Sequence, residues 1–175
     1  MKFYALKIFL ALIINQAFIF MQGIELNRNQ LKEWIPSFST SSRLNLYNRK
    51  IVSISNDTFL NLNKLDQLDL SANLLTSLDP FTFVSQTNLT WLRLDGNKLR
   101  YIDQFVFANL NSLLVLYLNS NQIEVIHFEA FRSMANLCYL YLAGNELNFL
   151  DADLFLGMNK LLDVDLSFNN LTRIE

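Results

Sequence analysis

Cysteine is almost missing from this sequence: Cys138 is the only one in 175 residues, which excludes an internal disulfide framework. Histidine also occurs once, at His127. No second histidine and no supporting motif surrounds it, so neither a metal set nor a Ser-His-Asp or Cys-His arrangement is expected. A loop-packing histidine and a partly buried free thiol are the expected roles, with an intermolecular disulfide as the alternative for Cys138. Four glycines and two prolines leave no glycine-rich phosphate loop and no low-complexity tract. Charge of one sign is lacking too. Fourteen basic and 16 acidic residues give a net charge of −2, so the electrostatic footprint of a nucleic-acid binder is absent. These absences predict a chain without catalytic residues, cofactor or metal. An enzyme would need a catalytic domain beyond Glu175.

What is present is repetition. The stretch 113–134 carries apolar residues at Leu113, Leu116, Leu118, Ile123, Ile126, Phe131 and Met134, with Asn121 set among them. A shift of 24 residues brings Leu118 onto Leu70, Leu94, Leu142 and Leu166. The same shift brings Phe131 onto Phe59, Phe83, Phe107 and Phe155. Self-similarity at a fixed period of this size is the signature of a solenoid. One unit cannot bury enough apolar surface to offset the ordering of its own backbone, so neighbouring units must share a core. The alternating segment around Leu116 and Leu118 predicts a short strand with leucines inward. Successive strands then lie side by side in parallel.

Asparagine recurs with the same period, at Asn73, Asn97, Asn121, Asn145 and Asn169. After each strand the chain must turn where its backbone is cut off from water. A buried amide both donates and accepts, so these five asparagines are expected to form a structural ladder across the turns. The first copy, 41–64, is degenerate, with Ser41 in place of the first leucine and Arg49 in place of the ladder asparagine. Full copies begin at Leu65, Leu89, Leu113 and Leu137, and the copy from Leu161 stops in mid-repeat at Glu175. About five and a half repeats therefore occupy 41–175, and the abrupt end is expected of a fragment of a longer protein or of an end that a partner covers.

The wording L-x-x-L-x-L-x-x-N-x-L/I resembles the extracellular "typical" class of leucine-rich repeats. These repeats are similar to the ectodomain repeats of Toll-type receptors and of neuronal and matrix leucine-rich-repeat proteins. The resemblance implies an α/β solenoid, a horseshoe with short parallel strands on its concave face and loops or short helical turns on its convex face. It also implies protein–protein recognition without catalysis. Extracellular relatives usually cap the array with a cysteine cluster, and here the chain departs from them. Residues 24–40, with Leu31, Trp34, Ile35 and Phe38, are expected to form the N-terminal cap instead.

Residues 1–23 have the pattern of a signal peptide. Lys2 and Lys7 give a positive start, residues 8–14 an apolar run that resumes at 17–21, and Gly23 is the expected last residue removed. Asn15 and Gln16 interrupt the run, which favours a signal peptide over a spanning anchor or a buried helix. Without Lys2 and Lys7, 12 of the 14 basic residues remain against 16 acidic ones, a charge of about −4.

The strand positions between the leucines are free to vary and are where a site is expected. The central strands would place Trp91, Arg93, Tyr117, Tyr139 and Tyr141 on neighbours about 4.8 Å apart. These residue types are enriched at interface hot spots. The competing role is that of cross-strand pairs that only stabilise the sheet. Asp163 and Asp165 on the next strand would favour a basic partner. Sequons at Asn56, Asn88 and Asn170 are candidate glycan sites in a secreted chain, and none falls among the aromatic positions. The expected partner is a protein ligand or receptor, not nucleic acid, at a secreted or cell-surface location. Membrane association is expected only through sequence after Glu175 or an uncleaved signal. A matrix or adhesive protein acting by self-association and an intracellular scaffold are the alternatives.

Overall fold

A computed structural model describes residues 23–174. Of the segment read as a signal peptide, 1–22 lies outside the described residues, as does Glu175. The described chain opens with strand β1 (Ile24–Leu26) and helix α1 (Arg28–Trp34). The repeats follow as β2 (Arg43–Asn45), β3 (Ile51–Ile54), β4 (Gln67–Asp69), β5 (Trp91–Arg93) and β6 (Tyr101–Ile102). They continue as β7 (Val115–Tyr117), β8 (Val125–Ile126), β9 (Tyr139–Tyr141), β10 (Phe149–Leu150), β11 (Asp163–Asp165) and β12 (Arg173–Ile174).

The architecture is a solenoid of about six turns. Its main sheet is parallel throughout, in the order β2-β4-β5-β7-β9-β11. Leu44, Leu68, Leu92, Leu116, Leu140 and Val164 stand in one row across it. Each of these strands is three residues long, and its middle residue faces the core while its neighbours face out. The period of two that alternation requires thus occupies a single pleat.

Behind each strand the chain turns through a left-handed residue. Ala72, Gly96, Ser120, Gly144 and Phe168 all have φ between 55° and 66°. Glycine at 96 and 144 adopts this region without a Cβ penalty. Asn121 then fastens the turn. Its Nδ2 donates to Leu94 O and Leu118 O at 3.0 Å each, and its Oδ1 accepts from Leu99 N–H at 3.1 Å. Asn97 and Asn145 repeat the arrangement one turn to either side. Asn73 reaches back to Leu46 O and accepts from Arg49 N–H and Ile51 N–H. Asn169 makes the same bonds in a half-buried position.

The convex side is built mostly of turns, with one 3-10 helix at Ala152–Phe155. Among the described residues the one α-helix is α1. A second set of short strands pairs on the return run, β1 with β3, β6 with β8 and β10 with β12. These pairs were not legible as alternation because most are only two residues long. Inside, Phe59, Phe83, Phe107 and Phe131 form a continuous stack with centroids 6.2, 6.3 and 6.2 Å apart. Such offset pairs stabilise beyond the area they bury.

At the N-terminal edge α1 lies over the first turn. Asn27 caps the helix, accepting from Asn29 N–H and Gln30 N–H, and Leu31 is fully buried in the core shared with Leu44. Arg28 donates to Leu60 O at 2.7 Å and lies over Phe38, while Arg49 lies over Trp34. No described helix is long and apolar enough to cross a membrane.

Candidate functional site

The outward positions of β5, β7 and β9 converge on one aromatic surface. Register sets Trp91 beside Val115, Arg93 beside Tyr117, and Tyr117 beside Tyr141. The Trp91 ring meets Tyr117 edge-on at 5.8 Å, and Tyr117 stacks on Tyr141 at 4.7 Å with 16° between the planes. All three are partly exposed, and Tyr139 next to them is exposed. The five residues expected to share a surface are thus brought together by the parallel pairing itself.

Arg93 is held from two sides. Its Nε and Nη2 donate to Asp95 Oδ1 and Oδ2, both at 2.7 Å. Its guanidinium also lies 5.4 Å from the Tyr117 ring and 5.9 Å from Trp91. The hydrogen bond to Asp95 holds the Arg93 guanidinium above its ordinary pKa. A bidentate pair fixes the fork in one orientation, so this cation stands pre-set over the aromatic rings. Asp95 was not among the residues expected at the site. Its signal was the R-L-D spacing, which puts opposite charges on one face of the chain two residues apart.

Asp163 and Asp165 lie on β11, paired in register with Tyr139 and Tyr141. The Ser167 hydroxyl and N–H hold the Asp165 carboxyl below the usual carboxylate range, with N–H to Oδ1 at 3.0 Å. Burial, helped by the neighbouring phenols and carboxylates, pushes the Tyr141 phenol above its ordinary value. At neutral pH the surface therefore offers the Tyr141 phenol as a donor beside the ionised Asp165 carboxylate, its partner in register.

The remaining sequence features lie elsewhere. His127 accepts from Glu129 N–H through Nδ1 and stacks on Phe128. Cys138 is a half-buried free thiol that donates to Asn136 O. Among the described residues no three His, Cys, Asp or Glu side chains are grouped to hold a metal ion. Asn56, Asn88 and Asn170 are all exposed, and the Asn88 amide donates to Asn63 O at 2.8 Å. Phe81, Phe105 and Leu156 stand exposed on the return turns, a feature the repeat pattern concealed. The position of Phe81 and Phe105 holds Asp57, Glu129 or Asp153 in other copies, so no common rule marks it.

The leucine rich repeat family model matches residues 42–99 and 87–147. The chain belongs to the leucine-rich-repeat family. Among solved structures of this family, the chain is similar to the TLR13–ssRNA13 complex, at 32% identity and a TM-score of 0.72, over 74% of this chain and 18% of that one. It is also similar to a glycosylated Toll–Spatzle complex of Drosophila, at 29% identity and a TM-score of 0.66, over 70% of this chain and 18% of that one. The LRIM1/APL1C complex matches at 26% identity and a TM-score of 0.71, over 80% of this chain and 26% of that one. No curated protein matches by sequence. The chain thus spans between 18% and 26% of these leucine-rich-repeat neighbours. Its repeats resemble those of Toll-type ectodomains, as their wording implied, and the fold is a protein-interaction scaffold.

Proposed function

We propose that the chain is an extracellular protein-recognition module, secreted or held at the cell surface as part of a longer receptor or adhesion protein. Residues 1–23 serve as its export signal, 24–40 as its cap and 41–175 as its repeat array. The ligand docks on the concave sheet. The observation that carries this reading is the run Trp91, Tyr117 and Tyr141 with Tyr139 beside it, which crosses three adjacent strands and stays in contact with water. Trp, Tyr and Arg dominate the energetics of interfaces. Rings already stacked in the free protein lose little side-chain freedom on binding. Two of the similar structures are complexes of repeat proteins with other proteins, Toll with Spatzle and LRIM1 with APL1C. The Toll complex is a glycosylated form, and the three exposed sequons of this chain agree with passage through the same compartment.

The TLR13 complex contains single-stranded RNA, and aromatic rings with an arginine also make stacking platforms for bases. Protein is favoured here because Asp95 takes up the charge of Arg93, while Asp163 and Asp165 add negative charge that repels phosphate.

The test is made on the full chain expressed in secretory eukaryotic cells. Protein in the medium whose mass falls on deglycosidase treatment is expected. In a cell-surface binding assay, the variant Trp91→Ala, Tyr117→Ala, Tyr139→Ala should lose binding while its circular dichroism is unchanged. Phe81→Ser with Phe105→Ser, on the return turns, should bind as the parent does. Full binding by the aromatic variant would move the site off the concave face, and unglycosylated cytosolic protein would end the extracellular reading.

A further inference from the structure

Charge is spread unevenly along the concave sheet. Arg43 stands on β2 and Arg93 on β5, where Asp95 already pairs with it. From β7 to β11 the outward strand positions carry no basic side chain: they are Val115, Tyr117, Tyr139, Tyr141, Asp163 and Asp165. Lys160, on the turn leading into β11, is directed to Asn136 Oδ1 at 2.8 Å. Asp163 and Asp165 flank Tyr139 and Tyr141 in register, so each carboxylate borders a ring. An aromatic floor edged by carboxylates attracts a cation through both the ring quadrupole and the fixed charge.

The spacing narrows the ligand further. Asp163 and Asp165 are alternate residues of one strand, so their side chains rise from the same face roughly 6.6 Å apart. An extended peptide presents its own alternate side chains at the same interval. We propose that the part of the concave sheet formed by β7, β9 and β11 docks an extended basic segment of a protein partner, with Lys or Arg at alternate positions meeting Asp163 and Asp165 across Tyr139 and Tyr141. This deepens the concave-face reading and rests on it.

Fluorescence anisotropy on the full secreted chain tests it with three labelled probes: a peptide with Arg at alternate positions separated by Ser, its Glu counterpart, and a single-stranded RNA of similar length. The Arg peptide should bind and weaken as salt is added, and the other two should not bind. Asp163→Asn with Asp165→Asn should weaken the Arg peptide about tenfold, as two partly exposed ion pairs allow. Tyr139→Ser should weaken it as well; Tyr139 is chosen because it is the exposed tyrosine of this patch, outside the Trp91–Tyr117–Tyr141 stack. Glu33→Gln with Glu146→Gln removes the same charge from exposed positions elsewhere and should change nothing. Equal loss in that control would reduce the effect to net charge and overturn the proposal, as would preferential binding of the RNA. If the aspartate variant binds the peptide normally while Tyr139→Ser does not, the concave site stands and its basic specificity falls. If neither substitution matters, both readings fall.

Discussion

A single asparagine per turn does work that no leucine can do. Asn121 serves its own turn through Leu118 O and the preceding turn through Leu94 O and Leu99 N–H. This backward reach explains why the first copy tolerates Arg49. The segment before it, 24–40, contributes no strand to the concave sheet and so has none to fasten, while Arg49's own N–H is served by Asn73 from the next copy. Asn121→Ala leaves the buried Leu99 N–H without a partner, while Leu94 O and Leu118 O keep the amides of Asn97 and Asn145, and should cost about 1–3 kcal/mol. Asn169 is half-buried, so water replaces part of what its amide supplies, and Asn169→Ala should cost visibly less. Urea unfolding of both variants measures the difference. Equal losses would mean that the amides act locally, each within its own turn.

The elements of this protein are too short to stand alone, and their stability comes from what crosses between them. Phe107 stacks on Phe83 on one side and on Phe131 on the other. Phe107→Ala therefore opens a hole in the middle of a continuous column and should cost about 3–5 kcal/mol. Phe107→Leu keeps most of the volume and loses the stacking, so it should cost no more than about half as much. A thermal melt in which the two substitutions were equivalent would show that ring stacking adds nothing to volume. The column was legible in the sequence because one residue type recurs at one period, and so was the register of the main sheet. Arg93–Asp95 was not legible, because the strand alternation places both side chains on one face without saying which rotamers they adopt. The second strand pairs escaped for a different reason. A two-residue strand such as β6 has no period of its own, and only its pairing with β8 defines it.

Across the whole molecule each turn contacts only the turns beside it, so stability should behave as a sum along one axis. Deleting 89–112, one full period, is the sharpest trial of that view. Phe83 would then face Phe131, Asn121 would find Leu70 O where Leu94 O had been, and β4 would pair with β7 in the same register. The shortened chain should unfold in a single cooperative transition with a smaller dependence on urea, because less surface is exposed when it opens. Deleting 89–100, half a period, removes a strand while keeping the return run, and leaves the inward leucines of the next turn without a matching row. It should abolish the cooperative transition. Survival of the half-period variant with native circular dichroism would show that the 24-residue register is not what holds the turns together. The full-period deletion also removes Trp91 and Arg93 while sparing Tyr117, Tyr139, Tyr141, Asp163 and Asp165. If the basic-peptide site lies on β7, β9 and β11, the shortened protein should still bind the Arg peptide, which separates that site from the Trp91 half of the concave face.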